Sequence, residues 1–381
     1  MDLKSLINPD GSCAIPQGVR CIPKSAFLRC FKLTSIIIPN GVTEIGTDAF
    51  SGCANLKQVT LPNSLISIGT DAFYGCTNLH DIELPAKVIK IGSSAFRRCS
   101  ELDAISIPSN VSTIHSNTFR DCNNLKKISL PSSVIYIGSG AFSGCVDLKS
   151  IVLPNSLQAI EKKAFDDCMG LTRVTIPTDA VIINRIYGNF HTPPIVTSFF
   201  HHCYGLHEIT VNENNLNYRS EGNCLLSEDR KKLLFACRTS VIPSSVEEIV
   251  EGAFVGCTDI YIPYCVKTIH PRAFVECPEL KTIKVAKGNQ RFCAKGNCIL
   301  TKDGHKLLLG CRTSVIPSCV TEIVMEAFHD IPAEEYSSKE VSTIVQQVEE
   351  MNQFWNMGFW TRLEYEDKIK SVLKRKPQSK Y

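Results

Sequence analysis

The chain is dominated by a motif that returns every 23 residues. The unit reads Leu-x-x-Ile-x-Leu-Pro-x-x-Val-x-x-Ile-Gly-x-x-Ala-Phe-x-x-Cys, and Leu56 to Cys76 shows it whole, with Val59 and Leu65 at two of the aliphatic positions. The recurring residues are Pro16, Pro39, Pro62, Pro85, Pro108, Pro131, Pro154 and Pro177, then Phe27, Phe50, Phe73, Phe96, Phe119, Phe142 and Phe165, then Cys30, Cys53, Cys76, Cys99, Cys122, Cys145 and Cys168. A fixed period of this length indicates a solenoid, because one unit is too small to fold alone and stacking buries a continuous core.

Composition agrees with a soluble repeat array. Of 381 residues, 44% are hydrophobic, which is enough for a continuous core. No apolar run approaches the roughly 18 residues of a membrane-spanning helix. The net charge is +3, from 41 basic and 38 acidic residues, so the chain has no strong field for nucleic acid. We therefore expect no membrane span and no nucleic-acid binding, and we expect one elongated body that is a monomer.

The first residues bear on where the protein works. Met1 to Leu6 lacks the apolar stretch of a secretory signal. We expect either a mature chain or a protein that is not exported by that route. The localisation stays open between the cytoplasm and a surface reached by a non-classical route.

Nineteen cysteines invite a disulfide or zinc interpretation, but their spacing argues against both. No Cys-x-x-Cys pair occurs, so zinc-ribbon spacing is missing. Ten cysteines fall in the repeat column once Cys203, Cys257 and Cys277 are added. A thiol in register with an inward Phe is best interpreted as a small buried hydrophobe. We predict free, reduced thiols, which favour a reducing compartment, and no metal. The cluster His201-His202-Cys203 is disfavoured as a metal site because Cys203 belongs to this column.

Each coil is predicted to contain two short strands. Leu-x-x-Ile-x-Leu has the alternation of a strand that is half-buried on one face, with Leu148, Ile151 and Leu153 pointing inward in one copy. The following proline lacks an amide donor, so the first strand ends there. Val134 and Ile137 represent a second short strand after the bend. Stacked coils would place equivalent strands side by side in a long parallel sheet.

Two further columns shape the end of each coil. Glycine follows the second strand at Gly46, Gly69, Gly92 and Gly138, with His115 and Glu161 in the same slot of two other coils. We interpret this glycine as a turn residue at positive φ. The phenylalanine column would fill the interior as a stacked spine.

This unit resembles the BspA-like leucine-rich repeats over nearly all of residues 13–329. The resemblance implies a leucine-rich solenoid. Members of that family are often surface or secreted proteins of host-associated microbes, and some are adhesins towards host or microbial proteins. Adhesion to a protein ligand is therefore what the resemblance implies here.

The predicted fold class is a leucine-rich repeat solenoid of BspA-like type, with a parallel β-sheet stack, β-hairpin insertions in later repeats and a carboxy-terminal helical cap. We divide the chain into an amino-terminal cap and first repeat (1–31), regular 23-residue repeats (32–177), irregular repeats with one loop and two hairpin insertions (178–329), and a carboxy-terminal helical cap or tail (330–381).

The irregular repeats contain three departures from the period. Phe200 follows Phe165 by 35 residues instead of 23, so 12 residues must leave the coil as a loop within 178–198. That loop is either a binding element or a tolerated insertion. Two longer units, offset by 74 residues, share Gly-Asn-Cys and Cys-Arg-Thr-Ser-Val-Ile-Pro. The second is predicted to form a hairpin that turns at Asp303-Gly304, and the first turns near residues 228–230.

The period vanishes after residue 330. Ser337-x-x-Glu340 is a capping box, and the apolar residues from Val341 to Trp355 fall on one helical face. We predict helices that cover the last coil. The alternative is a tail that binds a partner through Trp355, Phe359 and Trp360.

No catalytic motif is present, so we predict no enzyme activity and no cofactor. What remains is the outward face of the first strands, where an acidic patch adjoins a basic one. The candidate partner-binding residues are His80, Asp81, Glu83, Asp103, Lys126, Lys127, Lys149 and Arg173. This face is either a solvated surface or the contact site of a protein ligand. We predict a non-enzymatic protein-binding solenoid, possibly an adhesin. The alternative is an intracellular scaffold or effector that binds two partners with its solenoid face and its carboxy-terminal helices.

Overall fold

A computed structural model describes residues 3–183, 200–324, 327–328, 344 and 346–347. The described residues form β-solenoid coils, about 11 in all. The chain divides into two compact units, Met1–Ser220 and Glu221–Tyr381, which are described separately below. The four-part division of the sequence stays a prediction.

Regular structure consists almost entirely of short strands. The first unit begins with a 3-10 helix, Leu3–Leu6, in which Leu3 is buried. Its strands are β1 (Ser12–Ala14), β2 (Cys21–Ile22), β3 (Ser35–Ile37), β4 (Glu44–Ile45), β5 (Gln58–Thr60), β6 (Ser67–Ile68), β7 (Lys90–Ile91), β8 (Ala104–Ser106), β9 (Thr113–Ile114), β10 (Lys127–Ser129), β11 (Tyr136–Ile137), β12 (Ala159–Glu161), β13 (Arg173–Ile176), β14 (Val181–Ile183) and β15 (Glu208–Val211), followed by β16 (Tyr218–Glu221), within which the first unit ends. The second unit contains β17 (Cys224–Ser227), β18 (Lys232–Ala236), β19 (Glu248–Ile249), β20 (Asp259–Ile262), β21 (Thr268–Ile269), β22 (Thr282–Val285), β23 (Phe292–Lys295), β24 (Cys298–Thr301), β25 (Lys306–Leu309) and β26 (Glu322–Ile323).

Most regular coils of the first unit contribute one strand to each of two parallel series. The first series contains the sheets β1-β3-β5, β8-β10 and β13-β15, and the second contains β2-β4-β6-β7 and β9-β11-β12-β14. Partners are one period apart, as in Ile36 with Val59 and Ile45 with Ile68. Side chains at these paired positions are buried because alternate residues of a strand face opposite sides. The predicted parallel stack is therefore confirmed.

The phenylalanine column forms the spine of the first unit. Seven stacked pairs run from Phe27 to Phe200, with ring centroids 5.1 to 6.0 Å apart. Each ring is at most 1% exposed. Backbone bonds at the same turn also join successive coils, as in Phe50 N to Ala72 O at 2.8 Å. Phe200 continues the stack, which confirms the alignment across the 35-residue step.

The column cysteines lie in the core and also act as hydrogen-bond donors. Cys76 Sγ donates to Phe50 O at 3.2 Å, and Cys203 Sγ donates to Phe165 O at 3.0 Å. The same bond recurs at every column cysteine from Cys53 to Cys203. Cys30 stands in the first coil of the column and is only partly buried. Each of these phenylalanine carbonyls also accepts the backbone N–H of the column cysteine in its own coil, as in Cys53 N to Phe50 O at 3.0 Å, so the thiol adds a second hydrogen bond that joins two coils.

The glycine after the second strand was misinterpreted from the sequence. Gly46, Gly69, Gly92 and Gly138 do not have the positive φ that we predicted. They are required because the preceding coil passes very close to them. A Cβ on Gly92 would lie 2.5 Å from Thr70 N, and one on Gly138 would lie 2.6 Å from Ser116 N. Contacts that short with backbone atoms cannot be relieved by moving a side chain.

Both strand series are interrupted inside the first unit. In the second series no ladder joins β7 and β9 among the described residues, and His115 occupies the glycine slot in the coil of β9. In the first series the coil between β5 and β8 contributes only single bridges at Asp81, and the coil between β10 and β13 contributes only the bridge from Ser150 to Arg173. These interruptions leave hollows on the outer face.

The second unit combines repeats with hairpins. Its sheets are β17-β18-β19-β21, β20-β22 and β23-β24-β25-β26. The predicted hairpins are confirmed, since β17 pairs antiparallel with β18, and β24 pairs antiparallel with β25 on either side of Asp303-Gly304. A further hairpin joins β23 and β24 through Gly296 and Asn297, both at positive φ. Such a turn matches the twist of the two strands.

Two predictions fall largely outside the described residues. The loop predicted within 178–198 is described only to residue 183, where it includes β14. Of the carboxy-terminal segment after residue 330, only residues 344, 346 and 347 are described; they are helical, and Ile344 is buried. The helical cap stays a prediction.

Candidate functional site

Outward-facing positions of the first strands form three parallel columns in the first unit. One column contains His80, Asp103, Lys126 and Lys149, the next contains Asp81, Lys127 and Arg173, and the third contains Glu83. These eight residues, which we call the charged strip, are the partner-binding candidates predicted from the sequence. The strand pairing places them on one face of successive coils.

Four residues of the charged strip line one groove. Asp81 and Glu83 stand at its acidic end, and Lys126 and Lys127 stand at its basic end. The groove has a volume of about 980 Å³, and its lining also includes Ile82, Ile105 and Ile128, the first two of which are buried. His80, Asp103, Lys149 and Arg173 do not line it. The structure thus brings half of the predicted residues into one concave feature and leaves the other half around it.

The groove exists because the sheet is interrupted there. Asp81 forms single bridges with Gln58 and Ala104 instead of a continuous ladder. A second hollow of about 530 Å³ lies on the other side of the same coil, between Gln58 and Glu83. Residues 81–84 therefore stand between two depressions, with Asp81 and Glu83 exposed.

Some charges of the strip are already paired. Lys126 Nζ lies 2.6 Å from Asp103 Oδ1, and this hydrogen bond lowers the pKa of Asp103 and raises that of Lys126. Arg173 Nε lies 3.7 Å from Glu208 Oε2. His80 Nδ1 is 3.1 Å from Glu101 O, so its ring is held along the surface. These pairs are exposed and contribute little stability.

Three charges of the strip have no ion-pair partner among the described residues: Glu83, Lys127 and Lys149. All three are exposed. Strand spacing of about 4.8 Å places Glu83 and Lys149, three coils apart, at roughly 14 Å along the stacking direction, with a further offset of three residues along the strand. A charged partner could contact them without first breaking an existing pair.

Two residues of this face were missed by sequence reasoning. Val152 is 82% exposed at the edge of the groove. Glu208 faces Arg173 across the β13-β15 pair. The sequence contained the signal for Glu208, because the 35-residue step places it in register with Arg173. Val152 stands at an outward position of the alternating strand pattern and could have been found by that rule.

The described residues show no complete catalytic arrangement. His202 Nδ1 lies 2.6 Å from Asp167 Oδ1, with both side chains 45% exposed. The neighbouring Cys203 is buried, and burial raises the pKa of its thiol well above the ordinary value. A thiol in that state is a poor nucleophile, since the thiolate is the reactive form. Nor does the described chain include a helix with the length and apolar character needed to cross a bilayer.

Comparison with known families gives one clear match. The sequence pattern described as BspA type leucine rich repeat region matches residues 20–145, 105–225 and 234–295, in six copies. Together these ranges span more than half of the chain. No curated protein sequence is similar enough to count as a match.

Two solved structures of similar fold are informative. A leucine-rich repeat protein from Bacteroides ovatus is 28% identical, with a TM-score of 0.50, and the match covers 73% of each chain. A leucine rich cell surface protein from Faecalibacterium prausnitzii is 27% identical, with a TM-score of 0.52, and the match covers 84% of this chain and 79% of that one. The likeness extends over most of both proteins.

Proposed function

Because the chain belongs to the BspA-type leucine-rich repeat family, we propose that it is a non-enzymatic protein that binds a protein ligand on the charged strip of its first unit. The observation that carries this proposal is the groove between Asp81 and Lys127, with unpaired charges on both sides. The core residues repeat from coil to coil, so only outward-facing side chains distinguish one part of the surface from another. Solenoid faces of this kind commonly serve as extended binding surfaces.

The charge order on the strip defines what the ligand must present. Glu83 and Asp81 favour a basic group at one end, and Lys127 and Lys149 favour an acidic group two and three coils away, roughly 10 and 14 Å along the stacking direction. The exposed Val152 side chain, in the same coil as Lys149, favours an apolar residue at the basic end. The ligand is therefore a protein segment with a basic residue at one end and acidic and apolar residues at the other. Such complementarity sets orientation and association rate more than raw affinity.

Adhesion at a cell surface is the form of this function that the relatives support. The Faecalibacterium prausnitzii protein of similar fold is a cell surface protein. By this proposal, the present chain also acts outside the cell and attaches to a host or microbial protein.

An intracellular scaffold or effector is the second candidate, and the cysteines favour it. All nineteen are free and fourteen are buried, a pattern suited to a reducing compartment. The solenoid face would then bind one partner, and the predicted carboxy-terminal helices would bind another.

The test is to reverse the unpaired positive charges. Lys127→Glu with Lys149→Glu should leave the melting temperature unchanged, because both side chains are exposed, and should weaken the affinity for a captured and purified ligand at least about tenfold. The matched control is Lys32→Glu with Lys87→Glu, which makes the same charge change at exposed positions outside the strip. Equal affinity of both variants for every purified ligand would exclude the strip.

A further inference from the structure

A second charged cluster lies on the Phe-x-x-Cys turns of three successive coils in the first unit, away from the first strands. It consists of Tyr74, Arg97, Arg98, Arg120 and Asp121, and we call it the arginine cluster. Arg97 and Arg120 occupy the same position in their coils as Tyr74, and Asp121 occupies the position of Arg98. Stacking therefore brings three guanidinium groups from two adjacent coils close together.

The ring of Tyr74 and the carboxylate of Asp121 hold the cluster together. Arg97 Cζ and Arg98 Cζ lie 5.7 and 5.9 Å from the Tyr74 ring centroid, within cation–π range. The Nε atoms of Arg97, Arg98 and Arg120 lie 3.8, 3.5 and 3.8 Å from Asp121 carboxylate oxygens. One carboxylate thus faces three guanidinium groups at distances longer than a normal charged hydrogen bond.

Most hydrogen-bond donors of the cluster are unused. Among the described residues, the one hydrogen bond from these guanidinium groups runs from Arg98 Nη1 to the Tyr74 hydroxyl, at 3.1 Å. The Nε atoms of Arg97 and Arg120 are shielded from solvent and have no hydrogen-bond partner. Buried polar atoms are normally paired, and an orphaned donor indicates a missing acceptor.

Positive charge also exceeds negative charge here. Three guanidinium groups face Asp121, and the field of Arg97 additionally reaches Asp71, whose pKa is raised by burial. Around Asp121 itself, three permanent cations face one carboxylate, so this centre is positive. An added anion would supply the missing charge and would accept hydrogen bonds from the exposed sides of Arg98 and Arg120.

The neighbouring positions leave room for a ligand. Gly75 precedes Arg98 in its column, so bare backbone flanks the cluster on that side, whereas the space at Gly144, which follows Asp121, is taken by the Asp121 carboxylate. A Cβ on Gly75 would come no nearer than 3.8 Å to another atom, which means the space above it is open. The side chains of Arg98 and Arg120 are 56% and 43% exposed, so solvent reaches their outer faces.

We propose that the arginine cluster binds a tetrahedral oxyanion group, a phosphate or sulfate ester on a larger ligand. Such a group presents three oxygens, enough for one to face each of the three guanidinium groups. A carboxylate presents two and duplicates what Asp121 already provides. Arginine forks bind phosphate-type groups with paired N–H donors, which also gives directional selectivity. This site is independent of the charged strip and of the ligand proposed for it.

Calorimetric titration with glucose 6-phosphate and glucose 6-sulfate tests the proposal directly. We expect saturable one-to-one binding of at least one ester at low ionic strength, weakened by added salt because the cluster is exposed. A preference for one ester identifies whether the natural ligand is phosphorylated or sulfated. Acetate is the carboxylate probe and should bind at least about tenfold more weakly, a difference of about 1.4 kcal/mol.

Two variants with opposite expected effects separate binding from stability. Arg98→Gln with Arg120→Gln should weaken ester binding at least about tenfold. Asp121→Asn removes the competing carboxylate, and asparagine tolerates the φ of +61° at that position. It should therefore bind the ester more tightly, a gain that a damaged structure would not produce.

The matched control is Arg20→Gln with Arg29→Gln, two exposed arginines of the same unit outside the cluster. It makes the same change in net charge and should retain at least half of the wild-type affinity. The proposal is overturned if the wild type shows no saturable binding, if the cluster and control variants bind equally, or if acetate binds as tightly as the esters.

Discussion

At the scale of single residues, the glycine column shows what a repeat pattern reveals and what it hides. The sequence identified Gly46, Gly69, Gly92 and Gly138 as special because they recur, and it suggested a left-handed turn. The actual reason is contact between neighbouring coils, which one coil considered alone does not reveal. The left-handed turns lie elsewhere, at Gly75 and at its non-glycine equivalents Arg98 and Asp121. A recurring glycine in this protein thus indicates that two neighbouring coils lie in close contact. Positions with positive φ, in contrast, are also occupied by residues other than glycine.

Gly92→Ala should destabilise the first unit by about 1–3 kcal/mol, because its Cβ would lie 2.5 Å from Thr70 N and the backbone would have to shift. Gly75→Asn is the matched control. Its backbone has φ +67°, which asparagine adopts readily, and its surroundings are open, so the change should stay within about 0.5 kcal/mol. Urea unfolding midpoints compare the two variants. An equal loss in both would mean that backbone conformation, not contact between coils, selects the glycine.

For the column cysteines too, one property could be predicted from the sequence and another could not. Their position in register with an inward phenylalanine predicted burial, and burial is confirmed. Their bonds to the phenylalanine carbonyls of the preceding coil could not be predicted, since those bonds depend on the offset between two stacked coils. An alanine would lose the Sγ bond between coils, while the carbonyl would keep its backbone bond within its own coil.

At the scale of elements, the stacked phenylalanines link each coil to both neighbours. Phe119 is fully buried, with ring centroids 5.6 and 5.7 Å from Phe96 and Phe142. In a solenoid each coil is coupled energetically mainly to its nearest neighbours. Destabilisation of one coil should therefore affect only the coils close to it.

Phe119→Ala should therefore cost about 3–5 kcal/mol, the usual loss for a large buried aromatic side chain. Amide hydrogen exchange should increase most in the coils of Phe96 and Phe142, and least in the coil of Phe27. Phe31→Ala is the control, because Phe31 is 60% exposed and its loss should change little. Uniform acceleration across the whole unit would contradict the nearest-neighbour account.

The hairpins and the sheet interruptions differ in how far they could be predicted. Asp303-Gly304 between two apolar runs is a direct hairpin signal, and the structure confirms it. The hairpin at Gly296-Asn297 was missed, although glycine and asparagine at positive φ are a recognised signature. The interruption around Asp81 was not predictable, because small changes in the distance between coils decide whether a ladder or a single bridge forms. The groove of the charged strip follows from that interruption.

At the scale of the whole molecule, the 23-residue period was sufficient to predict the fold class and the family, because stacking identical units leaves few alternatives. The period says nothing about the ligand, since recognition depends on the residues that do not repeat. The charged strip could be located from its position on the first strands. The arginine cluster could not, because its three arginines meet only through contact between adjacent turns.

Thiol reactivity reports on the whole chain at once. A thiol reagent should modify Cys21, which is exposed, and slowly reach the partly buried Cys30, Cys265, Cys293 and Cys319. The fourteen buried thiols should react only after denaturation, when the total should rise to nineteen. Burial raises the pKa of the Cys76 and Cys99 thiols well above the ordinary value, so the reactive thiolate of these two residues is scarce in the folded chain. A total below nineteen after denaturation without reductant would mean that disulfides form.

Because so many thiols are buried, it matters whether the chain folds before or after it is exposed to an oxidant. If the chain folds before it meets an oxidant, its buried thiols are inaccessible. The oxidant can then react only with the few cysteines that are exposed or partly buried. A chain that meets the same oxidant while still unfolded offers nineteen reactive groups that can cross-link in many wrong combinations. Folding speed, more than final stability, would then decide whether this protein survives outside a reducing environment.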